Sequence, residues 1–146
     1  MADEVTDALR AAVAQRANKR CESCLINEQD TGFPHQVDHI VSRKHGGLST
    51  LENLALACVI CNRYKGSDLA SLDSQTGELF RWFNPRQNRW EDHFRLRDAI
   101  IDPVSAIGRV TVRLLRLNAT ERTAERQLLQ ELGKYPERPP VRESSI

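Results

Sequence analysis

The chain has 146 residues, 40% apolar and 28% charged, which suits one globular domain with a small accessory lobe and excludes a low-complexity or disordered chain. Its formal net charge of +1 does not advertise a nucleic-acid partner, so any basic surface has to come from the placement of its arginines. No run of 18 apolar residues could cross a membrane, and the acidic start lacks the apolar stretch of a signal peptide, so the expected setting is the cytoplasm.

Residues 3–17 set Val5, Leu9 and Val13 at four-residue spacing beside Ala8 and Ala12, which predicts an amphipathic helix with a narrow apolar stripe. The basic stretch from Arg16 to Arg20 completes a first unit, residues 1–20. Residues 21–70 form a second. There β-branched Val37, Ile40 and Val41 predict a strand interrupted by Asp38 and His39, and Gly46-Gly47 predicts a turn. Leu54–Ala57 reads as a short buried strand, although its alanines suit a helix too, and Val59–Leu69 reads as a short helix.

Residues 71–135 form an extension. Leu79–Phe83 and Arg89–Phe94 flank turn-forming Asn84–Asn88 and predict a hairpin. Asp102 before Pro103 predicts a helix start, with Ile107, Val110, Leu114 and Leu117 on one face. Asn118 or Thr120 is expected to cap a last helix that ends at Gly133 and turns Ala124, Leu128 and Leu132 inward. A frayed tail, 136–146, contains Pro139-Pro140. The fold class is therefore α+β.

In a reducing compartment paired cysteines hold metal more often than they form disulfides. Cys21-x-x-Cys24 and Cys58-x-x-Cys61 are separated by 33 residues. Each pair can offer two thiolates from a tight knuckle, and two knuckles make a closed tetrahedral site suited to structural Zn²⁺. A redox pair of the thioredoxin kind needs a βαβ setting that the pattern lacks; two disulfides or buried free thiols are the other readings.

Between the knuckles lie Val37-Asp38-His39-Ile40, Gly46-Gly47, Asn53-Leu54 and, overlapping the second knuckle, Cys61-Asn62-Arg63-Tyr64-Lys65-Gly66. Adjacent strand residues point to opposite faces, so Asp38 and His39 suit separate jobs: a hard oxygen for a cation, and an imidazole for a proton. Asn62 can add a neutral oxygen, and Mg²⁺ tolerates so few protein ligands because water and phosphate fill its other positions. Taken singly, the Asp-His pair is an ordinary strand hydrogen-bond pair and Asn53 a turn or cap residue.

Taken together and in this order, residues 21–66 strongly resemble the HNH endonuclease family. The resemblance implies a ββα-metal core stapled by the four-cysteine zinc site. It implies His39 as general base, Asp38 as ligand of a catalytic divalent ion, and Asn53 as the residue that holds the base's loop by hydrogen bonding. The last motif position, often histidine, is Asn62 here; this H-N-N form shifts the expected metal toward Mg²⁺ or Mn²⁺. Leu79-Phe80, Asn84-Pro85-Arg86 and Trp90–Phe94 also resemble small stand-alone bacterial HNH proteins. The implied reaction is hydrolysis of DNA phosphodiesters that leaves 5′-phosphate ends. A non-catalytic nucleic-acid-binding or protein-contact module on the same scaffold is the alternative.

Arg43, Lys44, Arg63 and Lys65 flank the cluster and are expected to contact phosphates, which position a duplex without reading it. His45 is expected to end a turn, and His35 and His93 to be surface or packing residues. Trp82 and Trp90, interleaved with arginines, are expected to pack the extension onto the core. No dimer seam is evident, so a monomer is favoured.

Overall fold

The computed structural model describes residues 4–136. The tail expected from Pro136 lies, beyond that residue, outside them. Helix α1 (Asp7–Arg16), present as expected, begins at Thr6, whose hydroxyl accepts from the Leu9 amide, and its stripe packs against Leu54 and Leu56. Val13, Ala17, Leu54 and Leu56 form this small core, with Val5, Leu9 and Val37 at its edge. Arg16 fastens the helix by donating to the carbonyls of Leu51 and Leu54.

Strands β1 (Gln36–His39) and β2 (Leu54–Ala57) pair antiparallel, placing Asp38 opposite Ala55 and His39 opposite Leu54. Every residue of β2 is buried, which settles Leu54–Ala57 as a strand. Helix α2 (Val59–Lys65) follows and is shorter than predicted. This ββα unit carries nearly all the residues singled out above.

The extension differs from its prediction. Residues 79–83 and 89–94 do not pair with each other. Instead β3 (Ala70–Leu72) pairs with β4 (Leu79–Arg81), and β5 (Phe94–Arg97) pairs with β6 (Ile100–Pro103). Asp73 closes the first turn by accepting from Thr76, and Asp98 closes the second at a positive φ of 55°. Residues 84–88 connect the two hairpins, and 90–92 make one turn of 3₁₀ helix. Asp102 starts no helix. It lies in β6 and pairs with Arg97, while Ser105 caps α3 (Ala106–Leu114) by accepting from the Gly108 amide.

Helix α4 (Thr120–Glu131) has its inward face two positions from the predicted one. Arg122, Arg126 and Leu129 are buried, whereas Ala124 is exposed, as are Leu128 and Leu132. Neither Asn118 nor Thr120 caps it: Ala119 stands at the N-cap, and Asn118 instead braces Ile101 through both its backbone groups.

The main core runs through both halves of the chain. The four cysteines and Ile26 join Trp82, Phe83, Phe94, Ile101, Val110, Leu115, Leu117, Leu129 and Tyr135 in one cluster. Phe83, Phe94 and Trp90 meet ring to ring. Both tryptophans therefore pack the extension onto the knuckles, as expected. Among the described residues no helix is long and apolar enough to cross a membrane.

Asp73 is buried at the β3 turn, where the Arg109 guanidinium grips it through two hydrogen bonds of 2.7 and 2.9 Å and holds its carboxyl well below the usual carboxylate range. A carboxylate whose folded pKa is depressed stabilises the fold above its unfolded value of about 3.9 and loses that contribution as pH falls through the folded value. Asp73→Asn should therefore melt well below wild type at pH 7, with the gap narrowing as pH drops below about 4 in thermal melts.

Candidate metal centre and nuclease site

The first knuckle is a tight turn in which the Cys21 amide donates to the Ile26 carbonyl and the Leu25 amide to the Cys21 carbonyl. The second is the start of α2, where Cys58 is the N-cap and its sulfur accepts from the Cys61 amide. Hydrogen bonding from the Cys21, Cys24 and Cys61 thiols, with a smaller contribution from the Cys61 amide at the helix start, holds the Cys58 thiol far below its ordinary pKa. All four cysteines are buried and their sulfurs lie within 4.8 Å of one another. Cys24 and Cys58 approach to 3.8 Å, which matches the edge of a tetrahedron with metal–sulfur bonds of about 2.3 Å.

Residues distant in sequence close this cluster. Arg122 donates to the Cys61 sulfur at 3.0 Å and lies 3.8 Å from that of Cys58. Burial pulls on its guanidinium, yet the cysteines more than offset it and drive its pKa above the ordinary value. The Tyr135 hydroxyl donates to the Cys24 carbonyl and the Trp90 indole to that of Ser23. Glu22 ties the knuckle to β2 by accepting from the Leu56 amide, and it pairs with Arg86. Trp90 and Arg86 lie in stretches that the sequence singled out, whereas Glu22, Arg122 and Tyr135 belong to no motif and carried no signal.

The second cluster sits on the ββα unit. Asn53 clamps the loop after β1. Its side-chain oxygen accepts from the Val41 amide, and its amide nitrogen donates to the carbonyls of Val41 and Leu48, each at 2.9 Å. Its own carbonyl accepts from Ile40. The loop must pass so close that a Cβ on Gly47 would fall 1.7 Å from the Val41 carbonyl oxygen. The glycine pair thus serves the same closure that Asn53 fastens.

Asp38 and Gln36 share one face of β1, and residues 62 and 65 share one face of α2. These faces meet: Asn62 donates to the Gln36 side-chain oxygen at 2.6 Å, and Lys65 approaches Asp38 to 3.0 Å. Asp38 and Asn62 therefore lie on the facing sides of β1 and α2, each joined across the contact to a residue of the other element. Burial pushes the Asp38 carboxyl up, and Lys65 opposes that shift.

His39 meets the loop that Asn53 holds. The Ser49 hydroxyl lies 2.8 Å from His39 Nε2, Arg43 Nε points at the same nitrogen from 3.4 Å, and Arg43 also donates to Ser49. Ser49 had no sequence signal, since its role comes from loop closure alone.

The basic residues divide. Arg43, Lys44 and Arg63 are exposed, Arg43 beside His39. Lys65 departs from its expected place among the phosphate contacts. Its ammonium turns inward to Asp38 and the His39 carbonyl and lies 5.3 Å from the Trp82 ring centroid, leaving the side chain 12% exposed. His35 and His93 are packing residues, bonded to the Ile26 carbonyl and the Ser105 hydroxyl.

Gly47→Ala should force the loop off Val41 and destabilise the fold by about 1–3 kcal/mol, the usual cost of overpacking; a denaturant titration against wild type would measure it. A stability equal to wild type would mean that the loop is not pinned this tightly.

No curated protein and no solved structure is detectably similar to the chain. The family model of the HNH endonucleases matches residues 21–68, the stretch from the first knuckle through α2 that holds the cysteines, Asp38, His39, Asn53 and Asn62. The ββα unit and its four-cysteine cluster therefore make residues 21–68 an HNH-family segment.

Proposed function

We propose that the protein is a metal-dependent endonuclease that hydrolyses phosphodiester bonds of DNA, with Zn²⁺ held structurally by Cys21, Cys24, Cys58 and Cys61. The observation that supports this reading is that Asp38 and Asn62 lie on the facing sides of β1 and α2, while the next strand residue, His39, meets the loop that Asn53 clamps. Asp38 and Asn62 would hold a catalytic Mg²⁺ or Mn²⁺; their carboxylate and amide oxygens are the hard donors such ions prefer. When bound, that ion supplies Lewis-acid stabilisation of charge on the phosphate and on the departing oxygen.

His39 takes a proton from the attacking water. Ser49 and Arg43 fix the ring's orientation, and Asn53 fixes the loop that carries them. Lys65 holds the Asp38 carboxylate and the His39 carbonyl at once, which keeps the two functional side chains in register. Exposed Arg43, Lys44 and Arg63 engage the phosphate backbone, and the products carry 5′-phosphate ends, as in the family the segment belongs to. The protein acts as a monomer in the cytoplasm.

One observation favours a second reading. Lys65 gives Asp38 a counter-charge of its own, so the scaffold is electrostatically complete as a non-catalytic binding module. Plasmid cleavage by the zinc-loaded protein with Mg²⁺, Mn²⁺ or EDTA separates the two. Wild type should cut in an EDTA-sensitive way, and His39→Ala should cut about 10²–10⁴-fold more slowly with zinc content and fold unchanged. Cleavage at wild-type rate by His39→Ala would remove the base from the mechanism, and absence of cutting on duplex, branched and single-stranded DNA alike would favour the binding module. Asn53→Ala should slow cutting with the zinc retained, because it frees the loop and leaves the cysteines untouched; melting and zinc content would be read beside the rate.

A further inference from the structure

The inward face of α4 presents arginines where apolar residues were expected. Arg122 is 5% exposed and Arg126 2%, one helical turn apart. Arg126 donates to the Ala99 carbonyl and the Asn118 side-chain oxygen, both neutral. Arg122 donates to the Leu115 carbonyl and to the sulfurs of Cys58 and Cys61. Neither is paired with a carboxylate among the described residues. A buried guanidinium without an anion is strongly unfavourable, so two of them on one face need a nearby negative charge.

The four cysteines are the negative charge within reach. A divalent ion bound by four thiolates is a dianion, and two arginines neutralise it. A cavity of about 340 Å³ is lined by Cys24 and Cys58 together with Arg122 and Arg126, and the carboxylate that also lines it, Glu125, is exposed.

We propose that Arg122 and Arg126 are the counter-charge of the metal–tetrathiolate group, so that docking of α4 onto the HNH segment and retention of the metal are linked. The inference rests on the zinc reading above. It makes the two arginines positioning residues of the metal site. Linkage is reciprocal: if the metal holds α4 down, α4 holds the metal in. The extension then acts as a clasp whose closure reports metal occupancy.

The test uses the full chain. Zinc content of the purified wild type is measured first, and then the rate of zinc transfer to a colorimetric chelator is compared for wild type, Arg122→Lys, Arg122→Met and Arg122→Met/Arg126→Met. Loss of the charge should speed release about 10–100-fold, the usual cost of removing an outer-shell partner, whereas Arg122→Lys should stay near wild type. Hydrogen exchange of residues 120–131 in wild type should rise in step with zinc loss. Equal release rates from wild type, Arg122→Met and the double variant, or an α4 that stays protected after the zinc has gone, would overturn the linkage. If the double variant does not fold, the contrast between lysine and methionine at position 122 decides the matter. A folded wild type without zinc would instead sink the underlying metal reading, and the proposal with it.

Discussion

The four-cysteine cluster is the constraint on which the rest of the molecule depends. Its sulfurs come from two knuckles that would otherwise have little to hold them together, since the β1–β2 pair is a two-stranded sheet and α2 a short helix. The cysteines lie inside the main core, among side chains that the extension supplies. Apolar burial, the closing hydrogen bonds from Trp90 and Tyr135, and the charge of Arg122 all converge on the same small volume. With three separate two-stranded sheets among its described residues, none of them large enough to organise a core alone, a chain of this size needs such a staple.

From that anchor the candidate nuclease site follows by short steps. The second knuckle is the first turn of α2, so the cluster that gathers Cys58 and Cys61 also fixes the direction of the helix carrying Asn62 and Lys65. The first knuckle is tied to β2 through Glu22, and β2 sets the register of β1 and hence of Asp38 and His39. Asn53 then closes the loop over the histidine. The structural cluster and the hard-oxygen pair are thus two ends of one helix-and-strand lever, and their separation is set by backbone geometry.

Much of this was legible in the sequence where the chemistry is local. Cys-x-x-Cys spacing, the Asp-His step on a β-branched stretch, the glycine pair and Asn62 after the last cysteine are short-range patterns; the structure gathers the four sulfurs and sets the other residues on the ββα unit. Long-range chemistry was not legible. The apolar pattern of Ala124, Leu128 and Leu132 pointed to the wrong face of α4; what meets Arg122 and Arg126 inside, the cysteine sulfurs and the Ala99 carbonyl, lies far away in sequence. Lys65 looked like a phosphate contact because nothing nearby in sequence reveals that Asp38 and Trp82 surround it. The extension's hairpins were misplaced for a related reason: Asn84–Asn88 carries strong turn residues, yet the chain there links two hairpins, while weaker signals at Asp73 and Asp98 make the true reversals.

Trp82 lies outside the matched family segment, and its indole face stands over the Lys65 ammonium that holds Asp38. Arg86 and Tyr135, also outside, secure the first knuckle. The transplantable unit of this protein is therefore larger than the stretch its motif defines. A graft of residues 21–68 onto another scaffold would carry the four cysteines, Asp38, His39 and Asn62, yet it would arrive without the indole, guanidinium and phenol that brace them. Evolutionary shuffling of such a module has to move its C-terminal wrapping along with it, or find a host surface that supplies the same three contacts.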